Sequence, residues 1–156
     1  MVKHISWCKG LLAALMAVSL MMLLAATVLA AEVHTGPTLT IEQDEVIDED
    51  LFVAGGGVII NGTVNGDVFA AGGSVTVNGV VNGSVTTAGG TVTINGKVTH
   101  ALRAGSGLIE IAGEVDGDVM LICRDLEITD TAKVGGDLLM GVRNAQIGGT
   151  IEGSIS

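Results

Sequence analysis

Few side chains in this chain can do acid–base, nucleophilic or metal chemistry. Beyond residue 31 the histidines are His34 and His100, 66 positions apart, and the cysteine is Cys123. A lone thiol excludes an intramolecular disulfide in that stretch. A Cys–His nucleophile pair would need His100 beside Cys123, but the two fall at different phases of the sequence repeat and so on different corners. Asp50, Asp67, Asp118 and Asp137 recur at one phase, with Asp116 next to Asp118 across Gly117. Hard cations want clustered oxygens. The G-G-x-G-x-D calcium phrase is missing, however, and an Asp at a corner accepts backbone N–H bonds. Turn acceptors are therefore expected there rather than metal ligands. Ser74-Val75-Thr76 and Thr91-Val92-Thr93 make two rungs of a T-x-T ladder, too short for a flat ice-binding face, and β-propensity on a solvent face accounts for them. The Gly-Gly pairs are followed by neither Gly-Lys-Ser/Thr nor a helical pattern, which excludes a phosphate loop. No catalytic, metal-binding or cofactor-binding residue is predicted, and the chain reads as non-enzymatic.

These residues hang on a repeat of 17. Residues 67–83 read DVFAAGGSVTVNGVVNG and residues 84–100 read SVTTAGGTVTINGKVTH. Units starting at Asp50, Ala101 and Asp137 have the same length, and the unit 118–136 is two residues longer. Position two of the unit holds Leu51, Val68, Val85, Leu102, Val119, Leu138 and Ile155. Position nine holds Val58, Val75, Val92, Ile109, Leu126 and Ala145, and position eleven holds Ile60, Val77, Ile94, Ile111, Ile128 and Ile147. Position fifteen holds Val64, Val81, Val98 and Val115, then Val134 after the two extra residues, then Ile151. Position four is small or apolar except for Thr87, and no charge occupies any of these columns.

Positions two and four, and nine and eleven, alternate with period two, so each pair belongs to a strand with one face inward. Position fifteen adds a third, short strand. The A-G-G, N-G and D-G phrases between them predict corners that use φ > 0. Three strands and three corners make a triangular coil, and stacking coils about 4.8 Å apart buries continuous aliphatic columns. The predicted core includes Val68, Val75, Val77, Val81, Val85, Val92, Ile94, Val98, Ile109, Ile111 and Val115. The gaps between inward columns are seven, six and four, unlike the even sixes of left-handed hexapeptide helices, which favours right-handed winding. The fold class is all-β: a single-stranded parallel β-helix of about 17 residues per coil. Leu39, Ile41 and Ile47 share the spacing of the longer unit and predict a first, partial coil. Residues 32–37, with Gly36 and Pro37, read as a tether, so the β-helix is expected over 38–156.

Composition agrees. Aromatics are 2% of the chain and Tyr is absent, while there are 24 glycines and one proline. Such a chain builds its core from Val, Ile, Leu and Ala on short strands. Lys3, His4 and Lys9 precede an apolar run of 21 residues from Leu11 to Ala31, interrupted by Ser19 and Thr27. This is the pattern of a secretory signal, with cleavage expected after Ala30 or Ala31. It is also long enough to stay as a membrane anchor helix. Either reading exports the remainder, since the positive flank stays inside. Without Lys3 and Lys9 the remainder has five basic and 17 acidic residues, a net charge of −12. That surface repels nucleic acid and predicts neither nucleic-acid nor nucleotide binding.

Phe52 and Phe69 fall at position three, between inward positions, and should face outward and stack. Residues 151–156 are still in register, with no capping pattern, so a coil end with Ile151 and Ile155 is a candidate for stacking on another copy. The phrases V-x-G-x-V and N-G-x-V-x-G-D-V, as in residues 61–68, resemble the bactofilins, a polymer-forming cytoskeletal family. The likeness runs over about residues 38–156. It implies a small right-handed β-helix that polymerises end to end without nucleotide and acts as an envelope scaffold. The export signal departs from that cytoplasmic family and points to an extracytoplasmic relative. Two other readings stay open: an exported β-solenoid that displays a binding or adhesion surface without polymerising, and the N-terminal part of a larger envelope protein.

Overall fold

The computed structural model describes residues 32–156; the expected signal or anchor, 1–31, lies outside them. Among the described residues no helix is long and apolar enough to cross a membrane. Long and short strands alternate along the chain. They are β1 (Glu32–Ile41), β2 (Val46–Ile47), β3 (Leu51–Ile60), β4 (Thr63–Val64), β5 (Val68–Val77), β6 (Val80–Val81) and β7 (Val85–Ile94). The series continues with β8 (Lys97–Val98), β9 (Leu102–Ile111), β10 (Glu114–Val115), β11 (Val119–Ile128), β12 (Lys133–Val134), β13 (Leu138–Ile147) and β14 (Thr150–Ile151). The long strands form one seven-stranded sheet and the short strands another, each in coil order. Every pairing is parallel and joins residues one repeat apart, as in Val68↔Val85 and Val81↔Val98. The chain is a parallel β-solenoid of about seven turns.

Two neighbouring strands of the sequence reading are one strand here. Positions two to eleven make a single ten-residue strand, and position seven is the one place its ladder skips: Gly72 pairs Gly89 and Ser74 pairs Thr91, with Gly73 unpaired. The inward parity changes across that skip. Val85 and Thr87 are buried before it and Val92 and Ile94 after it. The three expected sides are thus two flanks of one bent strand and one short strand. All eleven predicted core residues are buried, none more than 1% exposed. Each aliphatic side chain removed from water in this way contributes roughly 1.5–3 kcal/mol.

Two expectations are corrected. Residues 32–37 are no tether: they form the first half of β1 and pair with β3 from Glu32↔Leu51 to Gly36↔Gly55. Pro37 fits because it occupies position seven, where no coil uses its N–H in the ladder. From Glu32 on, the first coil therefore matches the longer unit, since each closes its extra corner residues with a backbone turn, Glu45 N–H to Glu42 O at 3.1 Å and Ala132 N–H to Thr129 O at 3.0 Å. The second correction concerns the corner glycines. No described residue has positive φ. The glycine column Gly79, Gly96 and Gly113 is instead required by close approach, because a Cβ on each would collide with the carbonyl oxygen of Gly62, Gly79 and Gly96 one coil below.

Candidate interaction surfaces

The corner Asp column is a hydrogen-bond ladder. Asp50 Oδ1 accepts from Asp67 N–H at 2.8 Å, Asp67 Oδ1 from Ser84 N–H at 2.7 Å, Asp118 Oδ1 from Asp137 N–H at 2.9 Å and Asp137 Oδ1 from Ser154 N–H at 2.8 Å. These carboxylates pin one coil to the next. Two amide ladders stand beside them. Asn95 Nδ2 donates to Asn78 Oδ1 at 2.9 Å and Asn78 Nδ2 to Asn61 Oδ1 at 2.8 Å; Asn82 donates to Asn65 at 2.7 Å, and Asn65 to Asp48 at 2.6 Å. Stacked Asn side chains at a repeat spacing lend such sheets further stability. Among the described residues, no three His, Cys, Asp or Glu side chains converge as a metal site.

Cys123 sits at position six on the inner face of β11 and is buried. Burial, and secondarily the charge of Asp125, pushes its thiol pKa up, the opposite of what a nucleophile needs. His100 is exposed on the turn before β9, 3.1 Å from Thr99 Oγ1 through Nδ1. Lys97 lies between Glu114 at 3.3 Å and Asp116 at 3.1 Å. Their hydrogen bonds, Asp116 first, raise its pKa. Those groups are exposed, and the pairing adds little to stability.

The outer face of the long-strand sheet is different in kind. Phe52 and Phe69 project from it and stack with ring centroids 4.7 Å apart and planes 9° from parallel. Beside them Ala54, Ala71 and Ala88 floor a shallow apolar groove of about 380 Å3, with Thr86 closing the aromatic row. Farther along the same face Met120, Ile122 and Leu139 stand 46%, 70% and 48% exposed. Ile122, Arg124 and Arg143 escaped the sequence reading, which followed the inward columns and position three; position five, read as a column, would have shown Ile122 among alanines and glycines.

The last described coil offers another surface. β13 pairs β11 on one side, and on the other makes one bridge, Leu138↔Ile155. Leu138 is buried, whereas Ala145 and Ile147, in columns that are buried in the coils before, are exposed. Ile151 is half-buried against the core, and Ile155 is 52% exposed. Comparison of the chain with family models, curated proteins and solved structures finds no match.

Proposed function

We propose that this protein is a non-enzymatic, self-associating scaffold of the cell envelope, an exported relative of the bactofilins wound as a right-handed β-helix. The observation that carries the reading is the uniform register: every coil pairs in parallel with the next, like position on like position, so that each coil offers the next a matching edge. An edge of that kind takes another coil in register. A second copy supplies one, as would any further coil of the same repeat. Right-handed winding agrees with the strong preference of parallel crossovers within one sheet and with the seven, six, four spacing of the inward columns. The basic and apolar N-terminal pattern supports export, with the segment either cleaved or kept as an anchor in the membrane. Assembly on this reading needs no nucleotide, nucleic acid or cofactor.

The experiment is negative-stain electron microscopy and sedimentation of residues 32–156. Filaments without nucleotide are the expected result, shortened by Ile155→Asp. A monodisperse monomer at high concentration would refute end-to-end assembly. A second reading, a solenoid that displays a binding surface without polymerising, draws on the apolar groove along Phe52 and Phe69, which core packing does not use.

A further inference from the structure

The surface of the described coils is divided by charge. Positions three to seven carry no Asp or Glu in any of the seven coils, in a chain with 17 acidic residues. The same band holds all three arginines, Arg103 at position three and Arg124 and Arg143 at position seven. Asp125, at the bordering position eight, already accepts from Arg124 at 3.0 Å and from Asn144 at 2.7 Å.

The band is also divided along its length. The coils before Arg103 carry the groove and the stacked phenylalanines. The coils after it carry the protruding Met120, Ile122 and Leu139 and two of the arginines. Between them the surface is small: Ala88 is followed on its column by Gly105, where an added Cβ would meet nothing.

We infer that this face pairs with the same face of a second copy, antiparallel, about a two-fold axis near Ala88 and Gly105. That arrangement sets Met120, Ile122 and Leu139 of each copy over the alanine-floored groove of the other. It also brings Arg103, at position three, toward the partner's Phe69 ring, a favourable cation–π arrangement, and sets Arg124 and Arg143, at position seven, over the partner's glycines of that column. Parallel pairing would instead put groove on groove and set the protruding Met120, Ile122 and Leu139 against the same coils of the partner. Copies with a net charge of −12 beyond residue 31 repel each other on most approaches, and the acid-free band is where that repulsion is least. A self-complementary patch closing by two-fold symmetry is the commonest oligomer geometry. Seven coils at about 4.8 Å and five residues at about 3.3 Å give a face of roughly 30 by 15 Å. That is small for a stable dimer, so the pair should dissociate on dilution. An anionic lipid surface suits the arginines, but it would leave the groove unfilled and face the acidic corners.

The pairing is independent of end-to-end stacking, and the test separates them. The full 156-residue chain carries Cys8→Ser and Ala88→Cys and is treated with a short bis-maleimide, with Cys8→Ser alone as control. Ala88→Cys should give a covalent dimer, and Asn78→Cys, on the asparagine corner, should not. Adding Ile122→Glu, on the outer surface, should cut the Ala88→Cys dimer at least tenfold with an unchanged circular dichroism spectrum. Ile155→Asp should leave the dimer intact even where it shortens filaments. Lack of an Ala88→Cys dimer, equal crosslinking from Asn78→Cys, or indifference to Ile122→Glu would each overturn the proposal. So would protection of the Ala88→Cys thiol that appears only with phosphatidylglycerol vesicles, which would assign the face to lipid.

Discussion

Among the described residues Thr87 is the one buried polar side chain of the core, 4% exposed, and its hydroxyl has no hydrogen-bond partner. Its ladder neighbours at position four are Ala70 and Ala104, which offer no side-chain acceptor. An unpaired hydroxyl in such a place costs about 1–3 kcal/mol. Thr87→Val keeps the branched shape and puts a methyl in its place, and should stabilise the protein by about 1–2 kcal/mol. Thermal and urea unfolding of the variant would check this, and an unchanged or lower midpoint would contradict it. Thr87 already stood out in the sequence as the exception in its column. That its oxygen goes unpaired depends on the neighbouring coils.

At the scale of the element, the coil is held by a few positions whose demands differ. In the 17-residue coils position thirteen is closed to a Cβ because the carbonyl of the coil below lies against it, as at Gly79. Position five faces outward and is open at Gly105. Gly79→Ala should therefore destabilise by about 1–3 kcal/mol or more through forced backbone shifts. Gly105→Ala should be neutral or stabilise by up to about 1 kcal/mol by restricting the unfolded chain. Chemical denaturation of both variants reads the contrast, and similar effects at the two sites would refute the account. In one-letter terms both are glycines in a glycine-rich repeat. The sequence reading assigned the corner glycines to positive φ, and only the distance to the next coil shows that crowding is what excludes a side chain. Pro37 misled for a related reason. It breaks most strands, but here it meets the single unpaired ladder position.

At the scale of the molecule, each coil rests on its two neighbours, and stability is close to a sum of coil and interface terms. Deleting residues 84–100 removes one whole repeat and joins Gly83 to Ala101 at matching phases. The shortened chain should keep its far-UV β-sheet spectrum and unfold at a lower temperature. Deleting residues 84–92, an odd number, turns inward side chains outward in that coil and should abolish cooperative folding. Circular dichroism with thermal melts distinguishes the two, and equal tolerance of both deletions would refute a solenoid held by register.

The sequence by itself determined the coil length, the inward columns and the absence of helix from the repeat, because a solenoid pairs residue i with i+17 and so writes its contacts into its own periodicity. It also placed Phe52 over Phe69 and the Asp column at the corner, for the same reason, whereas the bonding of those carboxylates to the next coil rather than to their own turn came from the stacking. Tertiary structure decided what depends on distances across coils: the crowding at Gly79, the bend that makes one strand of two, and the lack of a partner for Thr87. It also decided which outward residues share a face. Phe52, Ile122 and Arg143 lie far apart in the chain, and only the stacking of coils with a bend at position seven sets them on one acid-free band.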